Sequence, residues 1–192
     1  MLKFGNHKLS NNVAIFNMSP ADTCPSKILG LCLVSNNNIK CYAEKAEKIY
    51  PAVLPARKKQ EIEWKEKTKE QLLEEFYNKI KKRKKETKYL RYNESGDFHN
   101  QEDITKLSYI ADGLKTIDII TFGYSARSDL DFSKAKFLCK GSGFEANNGI
   151  CRVFNKNEET PEGYIVCPAD KCKTTCNLCK INYPYKIGFI KH

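Results

Sequence analysis

Residues 88–122 read KYLRYNESGDFHNQEDITKLSYIADGLKTIDIITF, and the change of period within them decides the fold class. Lys88-Tyr-Leu-Arg-Tyr92 alternates with period two, as a strand does. Gln101 to Leu114 then sets Ile104, Leu107, Ile110 and Ala111 on one helical face, with Gly113 near its C-terminal end. Ile117-Asp-Ile-Ile-Thr-Phe122 is apolar and β-branched, the composition of a second strand. Strand, helix and strand in about 35 residues make a βαβ unit, which requires parallel pairing and a right-handed crossover.

Outward from this unit, Val13-Ala-Ile-Phe16, Lys136-Phe-Leu-Cys139, Arg152-Val-Phe154 and Tyr164-Ile-Val166 read as further strands. A helical pattern begins at Cys41, where Tyr42, Ala46 and Ile49 recur at spacings of four and three, and Pro51 and Pro55 interrupt it. From Ala56 to about Lys84 the spacing predicts one long helix with Leu72, Leu73, Phe76 and Ile80 as its apolar stripe. The expectation is an α/β fold, an incomplete barrel or open, mostly parallel sheet of about five strands. One domain spans 1–192: an N-terminal cysteine segment (1–50), a basic helix (56–90), a βαβ core (88–140) and a cysteine-rich metal-binding tail (150–192).

The 192 residues suffice for a core without disulfide staples. No apolar run approaches the length of a membrane span, and the first residues lack the apolar region of a secretory signal, so no membrane partner is expected. A reducing cytoplasm follows, where cysteines are more often metal ligands than disulfides. Nine cysteines, an odd number, also argue against complete pairing.

The net charge of +10 is concentrated: Arg57 to Arg91 carries 14 basic and seven acidic side chains. Lys79, Lys81, Lys82, Arg83, Lys84, Lys85 and Lys88 crowd its end, with Glu86 the one carboxylate among them. Two readings stand. These cations form a solvated helix end suited to the negative pole of the macrodipole, or a stripe that contacts phosphates of nucleic acid. An acidic host protein surface is the other partner such a stripe fits.

Cys167, Cys172, Cys176 and Cys179 follow a C-x4-C-x3-C-x2-C pattern among polar residues. Ligands crowded into one loop suit a 4Fe–4S cluster, whereas a structural zinc usually takes two C-x2-C knuckles and only Cys176–Cys179 is one. Cys24, Cys32 and Cys41 form a looser C-x7-C-x8-C trio. They join the tail thiols at one metal, or hold a three-thiolate cluster with one iron open to substrate or cofactor. Cys139 reads as a core residue.

Arg91, Glu94 and Asp97 bracket Ser95-Gly96 at the C-terminal end of a strand, the edge where loops of α/β folds converge on ligands. Gly96 would let backbone approach a ligand, and Glu94 or Asp97 could bind an amino group or act as a base. The alternative is a turn in which Asp97 caps a helix and Arg91 pairs with Glu94. His99 reads as a solvated surface residue. With His7, His99 and His192 the only histidines, Ser–His–Asp chemistry is poorly supported. The sequence has no G-x-x-x-x-G-K-[ST] and no G-x-G-x-x-G motif.

Thr23-Cys-Pro25, Cys41-Tyr-Ala-Glu-Lys-Ala-Glu47, Tyr50-Pro51, Arg91 with Glu94-Ser-Gly-Asp-Phe98, and Val166-Cys-Pro168 with Cys176-x-x-Cys179 resemble the phage gene product 88 family over Asn12 to Cys179. That resemblance implies a bacteriophage or prophage origin, hence action in the host cell cytoplasm. The chain is also similar, more faintly, to radical SAM enzymes, in which three cysteines hold a 4Fe–4S cluster and a glycine–acid turn meets the SAM amino group. This likeness implies Cys24, Cys32 and Cys41 as ligands and Glu94 to Asp97 as the SAM-contacting turn, although the tight family cysteine spacing is absent. The leading expectation is a metal-binding, iron–sulfur protein that engages nucleic acid or a host nucleic-acid-handling machine. A radical-SAM-like enzyme and an inhibitor of host defence with a purely structural metal are the alternatives.

Overall fold

A computed structural model describes residues 2–6, 8–32, 41–155, 157–168 and 176–190. A short strand β1 (Lys3–Phe4) turns back through Gly5 to pair antiparallel with β2 (Val13–Phe16). β2 is buried along its whole length, as befits an apolar run covered on both faces. Then follow α1 (Pro25–Ile28), α2 (Tyr42–Ile49), α3 (Val53–Glu66) and α4 (Lys69–Lys81). The βαβ unit is β3 (Tyr89–Tyr92), α5 (Gln101–Lys115) and β4 (Ile120–Ser125), with β3 and β4 parallel as the sequence predicts. β5 (Leu138–Ser142), β6 (Ile150–Phe154), β7 (Tyr164–Val166) and β8 (Lys186–Ile190) complete the sheet.

The eight strands run β1-β2-β3-β4-β5-β6-β8-β7, all pairs parallel except β1 with β2. Among the described residues β1 and β7 end the order with no strand on their outer sides, so the sheet is open. Up to β6 it follows the chain with no reversal, unlike a doubly wound sheet with its switch point. Loops that leave β2, β3 and β4 at their carboxyl ends therefore emerge side by side on one edge.

Helices α3, α4 and α5 cover one face. Trp64, Leu72, Phe76, Ile104, Leu107 and Ile110 pack on Ala14, Phe16, Leu90, Tyr92 and Cys139. Cys139 is fully buried there, the core position expected of it. Phe16 lies 5.0 Å from Phe76 and 5.8 Å from Trp64 between ring centroids. Truncating any of these aromatics costs about 3–5 kcal/mol. The other face, Val13, Ile15, Tyr89 and Phe122 among it, is met by Cys179 from the C-terminal tail.

Two expectations need correction. The single helix from Ala56 to about Lys84 is two helices, broken at Lys67–Thr68. Thr68 caps α4 through its side chain, and Gln71 reaches back to the Thr68 amide, a complete capping box. Helix α4 ends at Lys81, so Arg83 to Lys88 lie beyond it and the long basic helix is not formed. The second strand of the βαβ unit starts at Ile120 rather than Ile117. Thr116 to Asp118 close the end of α5 with Asp118 at φ 59°, a left-handed conformation no strand residue adopts.

Candidate functional site at the carboxyl edge of the sheet

Asp97 organises this edge. Its buried carboxylate accepts from Ser26 Oγ at 2.5 Å, Ser125 Oγ at 2.7 Å, the Ala126 amide at 2.8 Å and the Phe98 amide at 2.9 Å. Those donors come from the loop after β2, the turn after β3 and the end of β4, so one side chain joins three loops. Burial raises its pKa above the usual carboxylate value, and the four hydrogen bonds pull the other way. With four donors in place, Asp97 holds the three loops together.

The turn Asn93–Asp97 is held against the loop after β2 at backbone level. Asn93 Oδ1 accepts from the Met18 amide and Asn17 Oδ1 from the Ser95 amide. Gly96 has φ +78°, and a Cβ there would sit 2.4–2.6 Å from Ser19 atoms. Its missing side chain thus serves contact with Ser19 rather than close approach of a ligand. Asn100, not Asp97, caps α5 by accepting from the Asp103 amide.

Helices α1 and α2 dock on this turn, and each is headed by a cysteine: Cys24 and Cys41 are their N-cap residues. Ser26 of α1 binds Asp97, and Tyr42 of α2 donates its hydroxyl to the Glu94 carbonyl at 2.5 Å. Glu47 of α2 is buried with Arg57 of α3 in a 2.7 Å ion pair, and it accepts from the Ala21 amide and, at 3.4 Å, from Ser95 Oγ. Removing one partner of such a pair costs about 3–5 kcal/mol. Cys24 and Cys32 lie close enough to interact, and Lys27 is within electrostatic reach of both Cys24 and Cys41. Burial, then the Asp97 charge, push the Cys24 thiol up to about 12. The chain from 33 to 40, which links Cys32 to Cys41, lies outside the described residues.

Arg91 leaves β3 on the face opposite the helices, where it neighbours Tyr42, Tyr124, Glu94 and Cys179. Its guanidinium lies 5.4 Å from the Tyr124 ring centroid. The expected pairing of Arg91 with Glu94 is not made. The Glu94 carboxylate takes the Asn6 side-chain amide instead. Cys179 returns from the tail to the neighbourhood of Arg91 that Tyr42 also shares, so the tail folds back toward the N-terminal cysteine segment. Cys167 instead continues the edge strand β7, bonded through its amide to the Gly188 carbonyl. Cys176 offers its carbonyl to Lys180, and Cys172 lies outside the described residues. Among the described residues no three His, Cys, Asp or Glu side chains form a group that could hold a metal ion.

His99 is not a solvated surface residue. Its Nδ1 lies 2.9 Å from Asp103 Oδ2, and its Nε2 is buried without a partner. The cations expected to contact nucleic acid lie at the opposite, amino-terminal edge, since they precede β3. Lys79 pairs with Glu75, Lys88 with Glu86, and Lys81 lies over the Tyr77 ring. Arg83 donates to the Asn11 carbonyl and stacks on Phe4 at 3.9 Å. Lys82, Lys84 and Lys85 are exposed.

Sequence reasoning passed over Ser26, Tyr42, Glu47 and Asn17. The Cys41-Tyr-Ala-Glu-Lys-Ala-Glu47 segment did carry a signal, because Tyr42 and Glu47 are the side chains that dock α2.

Fold and edge together define an α/β protein with an open, mostly parallel sheet, whose cysteine-headed helices and acidic turn meet at the carboxyl ends of adjacent strands. The chain belongs to the Gene product 88 family, a phage family whose model matches residues 1–122. The match includes Cys24, Cys32, Cys41 and the 93–97 turn and stops before the tail cysteines. No curated protein and no solved structure matches the chain. Among the described residues no helix is long and apolar enough to cross a membrane.

Proposed function

We propose that this chain is a cluster-dependent enzyme of the radical SAM kind, acting in the cytoplasm of the phage-infected cell. In this reading Cys24, Cys32 and Cys41, which do not form a metal-holding group in this structure, would close on a 4Fe–4S cluster as it loads and leave one iron free, and Glu94 would meet the amino group of SAM. The observation that carries it is the joining of the cysteine-bearing loop after β2 to the acidic turn after β3 through Ser26–Asp97 and Tyr42–Glu94. When bound, the cluster supplies the single electron that breaks a sulfonium carbon–sulfur bond. The protein's own part is positional. Asp97 fixes the three loops, Gly96 seats the turn on Ser19, and Glu47–Arg57 anchors the helix headed by Cys41.

The donor set suits iron better than zinc, because three thiolates without a fourth ligand leave an open position that a structural zinc site fills. The test is anaerobic loading with iron and sulfide, then SAM with dithionite as reductant. Brown protein absorbing near about 400 nm that releases methionine and 5′-deoxyadenosine is the expected result. Colourless protein carrying stoichiometric zinc, or an intact reduced cluster that leaves SAM whole, would overturn the proposal.

A second reading rests on Lys82, Lys84 and Lys85, adjacent exposed cations at the far edge of the sheet. There the protein engages nucleic acid through phosphates, and the cluster site and the nucleic-acid surface are separate.

A further inference from the structure

Three cations share the sheet face opposite the helices. Arg91 lies beside Tyr124, and Tyr124 stands in register with Lys140 on the adjacent strand β5. Lys180, from the tail segment that crosses this face, sits 4.8 Å above the Tyr89 ring. Lys140 is almost fully buried and satisfied by neutral carbonyls, those of Asn148, Tyr183 and Tyr185. Lys180 donates to the Cys176 carbonyl and to Asn177 Oδ1, again without charge.

Reading the strands in register, none of the positions on this face of β2 to β6 and β8 is Asp or Glu. The carboxylate near Arg91 is Glu94 at the rim, already held by Asn6. Arg91 Nε is shut off from water with no hydrogen-bond partner, while the residue as a whole is half-buried. A guanidinium whose Nε is shut off from water and unpaired, and which makes no ion pair with the nearby Glu94, is costly unless an anion meets it, and its fork matches the two oxygens of a carboxylate or phosphate.

The geometry points to an oxyanion-binding subsite on this face, with Arg91 gripping a carboxylate or phosphate group of a small-molecule substrate or cosubstrate. Lys140 and Lys180 supply the background positive potential, and Tyr124 shapes the wall behind the guanidinium. The inference names the ligand class of the site proposed above and rests on that reading for the site's role, not for the binding of an anion.

The test uses the full chain without added metal or SAM. Inorganic phosphate and, separately, succinate are titrated by calorimetry at constant ionic strength in chloride. Saturable binding of either probe is expected, weakened at least about tenfold in Arg91→Gln, and the preferred probe tells phosphate from carboxylate. Equal affinity in Arg91→Gln, or no binding beyond that of chloride, would overturn the subsite. Should Arg91→Gln fail to fold, Arg91→Lys decides, since it keeps the charge and loses the fork. Weaker binding then supports the proposal, and unchanged binding refutes it. Because no cluster takes part, a colourless protein that still binds phosphate separates the failure of the enzyme reading from the failure of this one.

Discussion

Ser26 donates its hydroxyl to Asp97 Oδ2 at 2.5 Å, across 71 positions of chain. The contact ties the helix headed by Cys24 to the turn that follows β3, and with Ser125 and Ala126 it makes Asp97 the meeting point of three loops. Asp97→Ala leaves four buried donors unanswered and should lower unfolding free energy by about 3 kcal/mol. Ser26→Ala should cost about 1 kcal/mol. Urea unfolding of both single variants and the double one checks this, and fully additive losses would mean that the two side chains do not interact.

Gly96→Ala places a methyl group against Ser19 backbone at a positive φ. A loss of more than about 2 kcal/mol is expected, because two of the three Ser19 atoms it meets are backbone and the φ is left-handed. A variant as stable as the parent would show that the turn is free to shift.

The cysteine trio is separable from the core thiol. Cys24→Ala, Cys32→Ala and Cys41→Ala should each abolish the chromophore after iron and sulfide loading, whereas Cys139→Ala should keep it, since Cys139 faces the helices. Iron and sulfide per chain are the measurement. Retention of iron in all three of the first variants would move the metal to the tail.

At the junction of α3 and α4, partial burial alone would raise the Glu75 carboxyl, but hydrogen bonds from Lys67 and Lys79 hold it down to about 2, against an ordinary 4.5. A depressed folded-state value means stability that is present above pH 4.5 and lost as pH falls toward 2. Glu75→Gln should therefore be less stable than the parent at neutral pH, with the gap closing on acidification through that window. Thermal melts followed by Trp64 fluorescence at stepped pH report it, Trp64 being the sole tryptophan and buried. A gap that stays constant with pH would exclude the ion pairs as its source.

Lys82, Lys84 and Lys85 changed together to Ala should leave the fold intact and reduce the salt dependence of nucleic-acid binding by about two to three in logarithmic slope. Arg83→Ala, by contrast, should destabilise the protein, since Arg83 stacks on Phe4 and holds the Asn11 carbonyl. An unchanged salt slope in the triple variant would leave these lysines as a solvated loop.

Much of this architecture is legible from local pattern. Val13–Phe16 is the strand its apolar run predicts, and the βαβ unit from Tyr89 to Ser125 pairs in parallel as its alternating periods require. The break at Thr68 was legible too, because Thr68-x-x-Gln71 is a capping box, but the charge pattern on either side of it reads as continuous helix. The strand after α5 reads too early because Ile117 is as apolar as Ile119, and only the backbone turn at Asp118 tells them apart.

Sequence alone determined the α/β class, the parallel pairing and the membership of the phage family, since periodicity and motif spacing are properties of near neighbours along the chain. Tertiary structure decided the rest. Strand order places Cys24, Cys41, Glu94 and Asp97 on one edge and the lysine cluster on the other. The tail's path across the second face brings Cys179 to the neighbourhood of Arg91, beside Tyr124 and Glu94. Such meetings depend on which strands lie side by side and which face a distant segment covers, and no local period encodes either.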